Sequence, residues 1–91
     1  STAATEALIV GIPVCTVEVS GMKELLGDDN EYGIVVNNDE ESLFNAIQSL
    51  IENKNLLEHY KQKAIERGRT FTIENTVKAA ENFLMKVSGK Q

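Results

Sequence analysis

Glu6 is the first side chain of this sequence with chemistry to offer, and its setting says where to look for a site. It lies in a short helical segment, Thr5-Glu6-Ala7-Leu8-Ile9-Val10. Gly11-Ile12-Pro13 follows, then an apolar run, the polar turn Ser20-Gly21 and a further carboxylate, Glu24. That order reads helix, strand, turn, helix. In an open α/β sheet ligands bind outside the carboxyl ends of the strands, so the turn after the apolar run is where function is expected. By residue type alone, Glu6 is a charge in the first turn of a helix, favoured there by the helix dipole. No fuller catalytic set can be assembled. His59 is the sole histidine and sits mid-helix among polar neighbours, so no general acid/base pair, Ser-His-Asp triad or metal-ligand spacing arises. Cys15, the sole cysteine, lies in the apolar run, which suits a small buried side chain in a reducing, cytoplasmic compartment rather than an activated thiolate.

The elements that must hold these residues are short. Val-rich Pro13 to Val19 reads as a strand covered on both faces, as in a parallel sheet, and Gly33-Ile34-Val35-Val36 repeats the signature. Between them a helix of a turn or two is expected, with Ser20 as N-cap and Gly27 as its end. Asp28-Asp29-Asn30-Glu31 reads as a solvated loop, since nothing nearby completes a metal-ligand set. Three helices are expected after the second strand. Asp39 caps the first, with Glu40 and Glu41 in its opening turn and an apolar stripe of Leu43, Ala46, Ile47, Leu50 and Ile51. Asn53 opens the second, with Leu56, Leu57, Tyr60, Ala64 and Phe71 inward, Lys61, Lys63, Glu66 and Arg67 in water, and Gly68 as its end. Thr72 caps the last, whose Ile73, Val77, Ala80, Phe83, Leu84 and Val87 continue the stripe to Gly89. The stripes are read as core packing rather than a coiled-coil seam.

Composition narrows the function classes. Fourteen acidic residues against nine basic ones give a formal net charge of -5 with no basic stripe, which argues against a nucleic-acid partner. No run approaches the roughly 20 apolar residues of a membrane span. The apolar stretch from Ala7 to Val19 lacks a basic leader and is broken by Gly11 and Pro13, unlike a secretory signal. At 91 residues the chain is one domain at most and buries roughly 60% of its unfolded surface. Two short parallel strands need further neighbours to form a stable sheet, so the fold reads as truncated, and the initial Ser suggests a fragment or processed product.

Glu6 to Val14, Glu18-Val19-Ser20-Gly21, Glu24-Leu25-Leu26, Gly33 to Val36 with Asp39, and Phe71-Thr72-Ile73-Glu74 together resemble the end of the donor-binding domain of family-four (group 1) retaining glycosyltransferases of the GT-B fold. The resemblance covers nearly the whole chain. It implies an α/β fold holding the last strands of a Rossmann-like parallel sheet, with the N-terminal acceptor domain and most of the donor domain outside this chain. It implies transfer, with retention, of a sugar from a nucleotide-diphosphate sugar (UDP- or GDP-linked) to a glycan or lipid-linked saccharide, with no metal or other cofactor. Such enzymes carry two glutamates with seven residues between them, and Glu6 resembles the second. Its implied role is to accept hydrogen bonds from the donor ribose, as an ionised carboxylate can. Ser1 and Thr2 correspond to the loop whose backbone N–H groups approach the donor diphosphate. Ser20 and Gly21 stand where the family usually has Gly-Gly, a departure, since Ser tolerates fewer backbone conformations. Glu24 matches a recurrent glutamate and is read as supporting the helix or loop. The resemblance further implies that this chain alone is inactive. Two other readings stay open: a non-catalytic Rossmann-like interaction or regulatory module working through an apolar sheet edge, and a sugar-nucleotide epimerase of similar architecture, which the Gly11-Ile12-Pro13 segment and its flanking glutamates fit poorly.

Overall fold

A computed structural model describes residues 2–87 and residue 89. Its elements are α1 (Thr2–Val10), β1 (Cys15–Val17), α2 (Met22–Leu26), β2 (Ile34–Val36), α3 (Glu40–Glu52) and α4 (Lys54–Val87). β1 and β2 form a parallel two-stranded sheet with Cys15 opposite Ile34, Thr16 opposite Val35 and Val17 opposite Val36. The mixed α/β class and parallel pairing are as expected. Both strands are shorter than the apolar runs, and two helices rather than three follow the second strand.

Local chemistry sets most boundaries. α1 stops in a Schellman arrangement: Gly11 at φ 88° gives its N–H to Leu8 O, and Ile12 N–H reaches back to Ala7 O at 2.9 Å. Pro13 then prevents any continuation. Asp39 caps α3 as expected, its carboxylate accepting from Ser42 N at 2.7 Å and Ser42 Oγ at 3.0 Å. Asn53 ends α3 and opens α4, its Oδ1 accepting from Leu56 N at 3.0 Å. At α2 the expected cap is displaced by one residue. Gly21, at φ 89°, is the N-cap and no side chain bonds the helix start, so Ser20 does not cap it.

The largest departure is in α4, which runs unbroken for 34 residues through Gly68 and Thr72. Thr72 does not open a helix; its Oγ1 donates to Gly68 O at 3.2 Å, one turn back. Gly68 does not close one. It is buried where α4 crosses α1, and a Cβ there would stand 2.7 Å from Ile9 Cα and from Leu8 C. Glycine serves here as the absence of a side chain, letting two helix backbones meet. Gly11, at the other end of the same contact, leaves room for Ile65, whose Cγ1 would stand 3.0 Å from an added Cβ.

The core sits around this crossing. Leu8, Met22, Leu25, Leu26 and Ala64 are buried together, with Ala4, Val14, Tyr32, Val35 and Phe71 packed on them. Leu50 and Tyr60 are also buried. Arg67, expected in water, is half-buried. The outer side of β2 is closed by the loop before it: Asn30, at φ 54°, accepts the Val35 N–H on its Oδ1 at 2.9 Å, and Tyr60 Oη donates to Asn30 O at 2.9 Å. Burial, then the charge of Asp29, pushes the Tyr60 phenol up and keeps it a donor. The opposite side of β1 has no such cover. Parallel pairing alternates backbone groups, so Cys15 and Val17 turn theirs away from β2, and no third strand joins there among the described residues.

Beyond Phe71, α4 leaves the body of the protein, which accounts for a longest dimension of 55 Å against 26 and 18 Å. The stripe expected to pack there is exposed instead: Ile73, Val77, Phe83 and Leu84 are between 51% and 65% accessible. Ile47 and Ile51 of α3 are exposed as well, while Leu50 carries that helix's burial.

Gly68→Ala isolates the helix crossing. Alanine is the better helix former by about 1 kcal/mol, so propensity alone raises stability. Overpacking against the α1 backbone should outweigh this and lower unfolding free energy by about 1–3 kcal/mol in urea titration, and an unchanged or raised midpoint would show that the helices can part without loss.

Candidate functional site

Residues before, within and after β1 line two adjoining hollows. α1 supplies one wall, held by the Gly68 contact. Its Ala3, Ala4 and Ala7 line an open groove of about 430 Å³ together with Pro13, Val14, Cys15, Thr16, Val19 and Met22. The small side chains of α1 make this wall shallow and apolar. A second hollow, about 300 Å³, lies beyond Val19 and is bordered by Glu18, Ser20, Gly21, Lys23 and Glu24. Val19 is shared by both, so the two form one surface running from α1 across the strand tip to the start of α2.

Glu6 is exposed on α1, and its carboxylate makes no hydrogen bond or ion pair with another described residue. It belongs to the helix that walls the groove without lining the groove itself. Ser20 and Gly21 do border the adjacent hollow. Of this pair only Gly21 has a positive φ, so Ser in the first position is accommodated without strain, and open space surrounds the place where a Gly21 side chain would start. Ser1 and the Thr2 side chain lie outside the described residues. Glu24 is exposed at the edge of the hollow, and His59 is a surface residue whose ring meets Tyr60 edge-on at 5.0 Å.

Lys23 is the residue that sequence reading passed over. Its Nζ pairs with Glu18 Oε1 at 2.8 Å, and this bond raises its pKa. The pair stands at the strand tip and borders both the small hollow and a larger polar cleft of about 560 Å³ toward α3. Both partners are about half exposed, which makes this a solvent-screened contact worth little in stability. The only signal in the sequence was a Glu and a Lys flanking the Ser20-Gly21 turn. With Glu18 neutralising Lys23 and Glu24, Asp28 and Asp29 close by, the strand tip carries no surplus of positive charge to hold a phosphate. Among the described residues no group of His, Cys, Asp and Glu could hold a metal ion. The chemistry on offer is hydrogen-bond acceptance by carboxylates beside an apolar wall.

Cys15 lines the groove half-buried, and burial pushes its thiol up. At pH 8 it should react with iodoacetamide at least about tenfold more slowly than free cysteine; an equal rate would mean that the groove does not shield it.

Comparison with known proteins bears on what the surface serves. Residues 1–67 match the sequence profile of the family described as glycosyl transferases group 1. A curated relative from Campylobacter jejuni, N-acetylgalactosamine-N,N'-diacetylbacillosaminyl-diphospho-undecaprenol 4-alpha-N-acetylgalactosaminyltransferase, is 37% identical over 73 residues. The match takes in 79% of this chain and 20% of the relative's length. No solved structure matches.

Proposed function

We propose, from the premise that this chain belongs to the group 1 glycosyl transferases, that it is the C-terminal part of the donor-binding domain of a retaining GT-B enzyme. The whole protein would move a sugar from a UDP- or GDP-sugar to a glycan or a lipid-linked saccharide. The latter is the acceptor class in the name of the Campylobacter protein. In this reading the surface from α1 to the Ser20-Gly21 turn is one side of the donor site, and the acceptor is held by a domain outside this chain. A cytoplasmic location suits the single free thiol.

The observation that carries the reading is the family match over residues 1–67, and Glu6 is the side chain proposed to meet the donor. An exposed carboxylate with no partner among the described residues, on the helix that walls the groove, retains its full capacity to accept hydrogen bonds. Two vicinal ribose hydroxyls are donors that one ionised carboxylate can accept together. The leaving diphosphate needs positive charge or helix N-termini, and the acidic strand tip described above does not provide that charge. The cationic groups therefore come from other parts of the whole protein. It follows that the 91-residue chain by itself transfers no sugar.

The test is nucleotide binding by the whole protein. Glu6→Gln keeps the shape and removes the charge, so UDP or GDP affinity should fall by about tenfold or more, the range for hydrogen bonds to charged groups. Unchanged affinity in a folded Glu6→Gln protein would remove Glu6 from the donor site. Binding and transfer by the isolated chain would contradict the division of the site between this chain and the rest.

A further inference from the structure

We infer that Arg67 is a positioning residue: from the middle of α4 it holds α2, and through α2 the Val19-Ser20-Gly21 turn, in place. The inference rests on the donor-site reading for its effect on catalysis and on geometry for its effect on the turn.

α2 has only five residues, so nearly every backbone group in it needs a partner from outside the helix. The carbonyls of its last four residues can be accounted for one by one. Lys23 O accepts from Gly27 N at 2.8 Å, and Leu26 O accepts from Tyr32 N at 2.9 Å. The two between them, Glu24 O and Leu25 O, are met by Arg67, whose Nη2 donates at 3.2 Å and Nε at 2.9 Å. These bonds cross more than forty residues of sequence. They also place a cation at the C-terminal end of a helix, where the dipole favours it.

The guanidinium is itself held. Its centre lies 5.4 Å from the Tyr32 ring and 4.8 Å from the Phe71 ring, so two aromatics define where it sits. At the far end of α2, Leu25 N–H donates to Gly21 O at 3.1 Å and Met22 N–H to Val19 O at 3.2 Å. Leu25 is thus bonded to Arg67 on one side and to the turn on the other. A displacement of α2 moves Val19 and Gly21, which border the proposed donor surface. Lysine cannot replace this arrangement, because one ammonium lacks both the planar fork and the stacking face.

Arg67→Lys and Arg67→Ala in the whole protein test the inference, with kinetics and backbone hydrogen exchange read together. The Lys variant, which keeps the charge, is expected to raise donor KM by about tenfold to a hundredfold, to leave acceptor KM unchanged, and to speed exchange at Met22 and Leu25 while the amides of α3 stay as protected as before. Two outcomes overturn it: exchange at Met22 and Leu25 as slow as in the parent, or faster exchange with donor and acceptor KM shifted alike, which marks a general loss of structure. If the parent protein binds neither UDP nor GDP, the donor-site reading fails, and the exchange arm alone still decides whether Arg67 holds the turn.

Discussion

The crossing of α1 and α4 at Gly68 is the contact on which the rest of the molecule depends. A helix of nine residues is too short to persist alone, and α1 exists because its Leu8 and Ala4 are pressed into the core against α4. That approach is possible only with no side chain at position 68. The placement of Glu6, and of the alanine wall beside the strand tip, follows from a residue more than sixty positions away.

The residue before Gly68 in α4 faces a different partner. Gly68 seats α1, and Arg67 seats α2, so a single turn of one helix positions both of these short helices. Long-range order of this kind suits a small α/β unit with a two-stranded sheet. The sheet supplies little rigidity, and α4, packed on α1 and α3, carries the geometry instead. Tyr32 and Phe71 belong to the same cluster, packing against the core while their rings lie 5.4 Å and 4.8 Å from the guanidinium carbon.

Beyond that cluster the molecule has two unfinished boundaries. One is the open side of β1, in contrast to β2, whose outer side is closed by Asn30. The other is the apolar stripe of α4 past Phe71. The chain spans 20% of the length of its Campylobacter relative. The donor-domain reading proposed above would set both boundaries against other parts of the whole protein.

Sequence alone determined the features governed by local chemistry. Asp39 and Asn53 were legible as caps because a short polar side chain reaches its own helix start, and Gly11-x-Pro13 was legible as a stop because backbone dihedrals decide it. The parallel pairing of the Val-rich runs and the family resemblance were legible too, since each rests on residue order. Tertiary structure decided the features for which one residue type has two uses. Glycine at 68 can end a helix or admit another helix, and only the presence of α1 selects the second. Arginine at 67 has the spacing of a solvent-facing position, yet two stranded carbonyls of α2 and two aromatic rings make a half-buried site more favourable than water. The stripe after Phe71 has the period of a packed face, but period states which residues share a face and not whether anything lies opposite it.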